Sequence, residues 1–135
     1  MAETFRLDLV TPERMIVSKN VDMVVIPGSE GDFGVLTNHS PMVSSLRPGV
    51  LRIFDGDQVS ERFLISHGVA EVNSDHCTIL ATEAYDLDDK CPEQIAKRLT
   101  AARKAHDKAQ DEIKKAEALA EISLAEQLVA AVDRE

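Results

Sequence analysis

The chain changes grammar abruptly near residue 86. All six glycines (Gly28, Gly31, Gly34, Gly49, Gly56, Gly68) and all five aromatics (Phe5, Phe33, Phe54, Phe63, Tyr85) precede that point. Over 93–135 there is no glycine, proline or aromatic. Glycine and proline punctuate turns, so their disappearance predicts long uninterrupted helix. The chain divides into a β domain over 1–86 and a helical unit over 87–135, joined by Asp86-Leu87-Asp88-Asp89-Lys90-Cys91.

The first part reads as short strands between turns. Phe5-Arg6-Leu7-Asp8-Leu9-Val10 alternates, with Phe5, Leu7 and Leu9 on one face, and Thr11-Pro12-Glu13 ends it. The most apolar stretch is 21–27, where Val21, Met23 and Val25 share a face. Residues 49–54 alternate again, Asp55-Gly56-Asp57 signals a hairpin turn, and 61–66 answers it. Val69-Ala70-Glu71-Val72 and 76–84 follow, separated by Asn73-Ser74-Asp75. Many short strands with one wet and one buried face predict two antiparallel sheets packed as a β-sandwich.

The second part opens on a start signal. Asp88 or Asp89 can cap, and Pro92 suits the first helical position with Glu93 beside it. Ile95, Leu99, Ala102 and Ala109 follow helical spacing. A second set runs Ile113, Ala116, Ala120, Leu124 and Leu128, widened by Leu119, Ile122 and Val132. One helix over 92–135 would be ~66 Å long, more than a small domain can cover. An α-helical hairpin is the economical solution, with Ala105-His106-Asp107-Lys108 as its turn. Charge supports two units: 92–108 holds five basic and two acidic residues, 109–135 three basic and seven acidic. The expected fold class is α+β, an N-terminal two-sheet sandwich followed by a C-terminal helical hairpin.

Composition excludes several functions. With 15 Lys+Arg against 24 Asp+Glu the net charge is −9, so a nucleic-acid backbone would repel the chain. No apolar run approaches the ~20 residues of a membrane span, and no direct membrane insertion is expected. The N-terminus lacks the basic and apolar regions of a secretory signal. Two cysteines do not make a disulfide framework, which points to a reducing, cytosolic compartment.

Few of the chain's motifs carry chemistry. There is no Walker-type phosphate cradle, CxxC, HExxH or GxSxG. Cys77 adjoins His76, but neighbours on a strand face opposite ways and cannot readily share a metal. An unpaired Cys such as Cys77 is usually a small buried hydrophobe. His39-Ser40 with Asp32 nearby lacks any sign of a strained nucleophile turn or oxyanion hole. No catalytic, metal or cofactor-binding residue is assigned. The unusual segment is Pro27-Gly28-Ser29-Glu30-Gly31-Asp32-Phe33-Gly34, followed by Asn38-His39-Ser40-Pro41-Met42. Three glycines spaced three apart predict successive turns or left-handed positions. Glu30, Asp32, Asn38 and His39 would project from loops at one end, as a contact surface does.

That segment resembles the signature of the epsilon subunit of F-type ATP synthase. Leu7-Asp8-Leu9-Val10-Thr11-Pro12, Leu46-Arg47-Pro48-Gly49-Val50-Leu51-Arg52-Ile53 and Ser66-His67-Gly68-Val69-Ala70-Glu71-Val72 are similar to further family patterns in the same order. The resemblance implies a sandwich of about ten strands plus a helical hairpin. It implies a non-catalytic rotor part at the cytoplasmic face of the bacterial plasma membrane, binding the gamma subunit and the loops of the c-ring. Residue by residue, it implies ring contact at Glu30, Gly31, Asp32 and His39, and gamma contact at Ser40, Pro41 and Met42. Through the C-terminal helices it implies contact with the catalytic alpha and beta subunits.

The tail departs from the family. Many members carry Leu-Asp-x-x-Arg-Ala at the first helix, which binds ATP in some of them; here Cys91 stands at the Arg position and Pro92 at the Ala position. A phosphate would lose its bidentate donor, and Lys90 is not an equivalent replacement. The second helix is net acidic, where many members use basic residues to reach acidic segments of the beta subunits. Weak or absent ATP binding and at most a weak brake on hydrolysis are expected. The competing reading is a free-standing β-sandwich that binds a small ligand.

Overall fold

The computed structural model describes residues 3–89 and 91–135. Ten strands precede two helices: β1 (Phe5–Val10), β2 (Met15–Val21), β3 (Met23–Gly28), β4 (Gly31–Val35), β5 (Met42–Leu46), β6 (Gly49–Asp55), β7 (Gln58–Ile65), β8 (Gly68–Val72), β9 (His76–Ala81), β10 (Ala84–Asp86), α1 (Cys91–Lys108) and α2 (Glu112–Asp133). Hydrogen bonding runs β10-β7-β6-β3-β5-β8-β9-β1-β2, with β4 on the side of β3. The path narrows to a single residue pair, Gly28 with Leu46, between β3 and β5. Two five-stranded layers therefore face each other, β10-β7-β6-β3-β4 and β5-β8-β9-β1-β2, hinged at that pair.

One pairing departs from the antiparallel expectation: β1 and β9 run parallel, Leu7 beside Cys77 and Leu9 beside Ile79. The two strands are distant in sequence, so no tight hairpin forces opposite directions. The β6–β7 turn is as expected. Asp55 pairs Gln58, and Gly56 takes a φ of 62°, the positive value that primed hairpin turns require.

The main core lies between the layers. Leu7, Leu9, Val24, Ile26, Leu51 and Ile79 are all but inaccessible to solvent. The 21–27 stretch is broken at Asp22, so Val21 ends β2, and β3 turns Val24 and Ile26 inward while Met23 and Val25 are half-buried. Cys77 is buried in this core, and burial pushes its thiol up to about 12. His76 faces the other way and meets the Asp8 carboxylate at 3.0 Å.

A second core lies outside the β6–β7 layer. Val50 and Leu64 pack there with Leu87, Cys91, Ile95, Leu128 and Ala131. This explains why Val50 and Leu51, consecutive in β6, are both buried: sandwich covers one face and hairpin the other.

The hairpin differs from the sequence reading at its turn and its stripe. Ala105 to Lys108 continue α1, since none of them breaks a helix, and the turn falls on 109–111. Asp111 caps α2, its carboxylate accepting the Lys114 amide at 2.7 Å. Asp88 does not cap α1, which begins at Cys91, one residue before Pro92; it pairs with Arg62 instead. Lys90 lies outside the described residues. On α2 the buried positions are Ala118, Ala125, Leu128 and Ala131, with Ile122, Leu124 and Val132 half-buried. Ile113 is 72% exposed and Leu119 53%. Apolar residues surround much of α2, so spacing alone left the inward face ambiguous; packing decided it, burying small side chains on both helices, Ala102 on α1 and Ala118 and Ala125 on α2.

Candidate functional site

The Gly-rich segment is a hairpin rather than a long loop. β3 and β4 pair from Val24 with Val35 to Gly28 with Gly31, leaving Ser29-Glu30 as the turn. Its glycines are not equivalent. Gly31 has a φ of 134°, which side-chain-bearing residues rarely adopt. Gly28 is extended but crowded: a Cβ there would lie 2.8 Å from the Gly31 carbonyl oxygen and 2.9 Å from the Phe33 ring. Gly34 is open, its nearest neighbour being the Met23 sulfur at 3.9 Å.

The turn is braced by Arg47, a residue to which the sequence assigned no role. Its backbone amide donates to the Pro27 carbonyl at 3.0 Å, one guanidinium NH₂ to the Gly28 carbonyl at 2.8 Å, and the other to Asp32 at 2.7 Å. The Ser29 backbone amide donates a further hydrogen bond to the Ser45 carbonyl at 2.9 Å. Arg47 lies beyond the β4–β5 connection, and the Gly28–Leu46 pairing beside it helps bring it to the turn.

β4 and β5 are not hydrogen-bonded to each other, and an open groove of about 500 Å³ lies beside them. Glu30, Gly31, Asp32, His39 and Met42 all line it, with Phe33. Four expected ring-contact residues and one expected gamma-contact residue thus share one groove. Ser40 and Pro41 are exposed on the connection outside its lining. The His39 Nδ1–H donates to the Ser40 carbonyl at 2.7 Å, which fixes the ring's orientation. Asn38 does not join the group. It takes a φ of 64° and its amide donates to Ser74 at 2.6 Å, which ties it to the β8–β9 turn. Asp32 is held by Arg47, whereas among the described residues Glu30 appears in no side-chain ion pair. The groove is open and acidic, with one aromatic wall, and is not an enclosed pocket.

A second polar cluster clamps the hairpin to the sandwich. Arg98 of α1 donates to Glu83 at 3.1 Å, to the Tyr85 hydroxyl at 2.8 Å and to Glu121 of α2 at 3.2 Å. The Tyr85 hydroxyl donates on to Glu83 at 2.9 Å. Glu121 and Glu83 together hold the Arg98 guanidinium well above its ordinary value. Burial pushes the Glu83 carboxyl up, but the Arg98 and Tyr85 hydrogen bonds outweigh it and leave the group below its ordinary range. At the far end of α2, Glu135 receives Arg52 at 3.2 Å and lies 3.7 Å from Arg62. Cys91 is buried in the second core, and burial with the nearby Asp86 pushes its thiol up to about 11.

Residues 4–86 match the family described as ATP synthase, Delta/Epsilon chain, beta-sandwich domain. This chain belongs to that family. The ATP synthase epsilon chain of Rhodospirillum rubrum is 45% identical over 131 residues, covering 97% of this chain and 98% of the relative. That of Paramagnetospirillum magneticum is 44% identical over 132 residues, with 98% and 99% covered. The similarity therefore includes the helices. Among solved structures, a chain of the Euglena gracilis mitochondrial ATP synthase OSCP/F1/c-ring assembly superposes with a TM-score of 0.73 at 27% identity, over 97% of this chain and 80% of that one. A chain of the Tetrahymena thermophila mitochondrial ATP synthase central stalk/c-ring shares the fold, with a TM-score of 0.60 at 18% identity over 95% and 98%.

Proposed function

We propose that this chain is a non-catalytic rotor subunit of an F-type ATP synthase, joining gamma to the c-ring and so coupling proton flow to ATP synthesis. Family membership favours this over the free-standing ligand-binding sandwich. In this reading Glu30, Gly31, Asp32 and His39 meet the polar loops of the ring, and Ser40, Pro41 and Met42 meet gamma. The observation that carries it is the convergence of Glu30, Asp32 and His39 on one groove whose turn is braced by Arg47. A joint that transmits torque must resist shear, and charge-assisted hydrogen bonds on a stiff hairpin fix orientation as well as position.

The subunit works peripherally at the cytoplasmic face of the bacterial membrane; no described helix is long and apolar enough to cross a bilayer. The helices, through which the resemblance implies contact with the catalytic subunits, act at most as a weak brake on hydrolysis. The test replaces both Glu30 and Asp32 by Lys in the assembled enzyme. Reversing the charge weakens docking to the ring, so ATP-driven proton pumping falls while the isolated subunit keeps its melting temperature. Full proton pumping in membranes carrying the double variant would overturn the reading.

A further inference from the structure

The end of the sandwich away from the β3–β4 turn carries an apolar depression of about 520 Å³. Met23, Leu36 and Phe54 supply its apolar surface, and Glu3, Asp22 and Asp57 stand around it. β3 begins at Met23 and ends at Gly28, so a strand length of roughly 17 Å separates the depression from the turn. Leu36 is 57% exposed although large and apolar. It lies on a pinned segment: two residues later the Asn38 amide is tied to Ser74 and its side chain donates to Glu3 at 3.4 Å.

The carboxylates around it lack counter-charges. Among the described residues no side-chain ion pair includes Glu3, Asp22 or Asp57. Among the described residues Asp22 accepts the Gly56 amide, at 2.6 Å, an interaction that shapes the β6–β7 turn. Three uncompensated carboxylates around an apolar floor repel one another, and a cation with an aliphatic stem relieves both defects together.

We propose that this depression docks a segment of a partner protein that presents an apolar side chain flanked by lysine or arginine. Charge decides the occupant. A second copy of this chain carries a net −9 and would meet the rim with repulsion, as would an anionic lipid surface. A neutral small molecule would leave the carboxylates uncompensated. The site is independent of the ring-facing groove.

The test uses the assembled ATP synthase with p-benzoylphenylalanine in place of Leu36, whose exposure keeps the change out of the core. After illumination, mass spectrometry identifies the attached peptide. The expected product carries an apolar residue within a few positions of Lys or Arg, and its yield falls several-fold in the Glu3→Lys/Asp57→Lys background and at high salt. Melting of that variant at the parent temperature shows that the fold is intact. No cross-link, attachment to a peptide without basic residues, or a yield indifferent to charge reversal would each overturn the proposal.

Discussion

The Arg47 guanidinium holds Asp32 at 2.7 Å and the Gly28 carbonyl at 2.8 Å, so one side chain grips both strands of the hairpin that carries the candidate ring contacts. Arg47 and Asp32 are both partly exposed, and such a pair contributes little to global stability, ~0–1 kcal/mol. Its value is orientational. Arg47→Met is expected to leave the melting temperature nearly unchanged yet lower coupled proton pumping, because Asp32 and the turn lose their fixed geometry. A melt and a pumping assay on the same variant check this; unchanged pumping would show that the brace is dispensable.

Gly28 and Gly34 of the hairpin should respond differently to alanine. At Gly28 a Cβ meets backbone and ring within 3 Å, an overpacking that costs about 1–3 kcal/mol. Gly34→Ala adds a methyl in open space and should stay within about 0.5 kcal/mol of the parent. Denaturant unfolding of the two variants provides the comparison, and equal stabilities would contradict the crowding at Gly28.

The Arg98 cluster sets a pH dependence. Glu83 is depressed below its ordinary 4.5 on folding. A depressed carboxyl contributes stability that is fully present above its unfolded value and is lost as pH falls through its folded value. The hairpin clamp should therefore weaken below about pH 4.5 and hold at neutral pH. Cys91 reports the event, being buried by the hairpin, and Cys77 serves as the control within the sandwich core. Labelling with a disulfide reagent that reacts in acid should accelerate at Cys91 before Cys77 on acidification, and at neutral pH in Arg98→Met. Simultaneous exposure of both cysteines would mean that the hairpin and sandwich unfold as one unit.

Nucleotide should not stabilise the isolated subunit. Cys91 is buried and cannot offer a phosphate the bidentate donor that the family motif supplies, and Arg98, close by on α1, is already committed to Glu83 and Glu121. A ligand at a hundred times its dissociation constant adds ~2.7 kcal/mol, which in a domain of this size raises the melting temperature by several degrees. A melt with millimolar Mg-ATP should show no such shift; a shift seen with ATP and absent with GTP would mean that other residues have rebuilt a site.

The sequence alone determined the passage from strands to helices and most of the strands, but not β2, β4 or β5. Alternation in Phe5–Val10, the Asp55-Gly56-Asp57 turn and the loss of glycine after residue 86 are local signals, each carried by consecutive residues whose backbone preferences do not need the rest of the chain. The resemblance pointed to Glu30, Asp32 and His39 for the same reason, since they lie in one short segment. What only the tertiary structure decided are relationships between distant residues. The parallel β1–β9 pair, Arg47 bracing Gly28 and Asp32, and Arg98 joining Glu83 to Glu121 depend on sheet closure and on where the hairpin docks. The inward face of α2 belongs with them: a helix apolar on several sides chooses its buried stripe only when a partner surface, here α1 and the Val50–Leu64 face, is present to pack against.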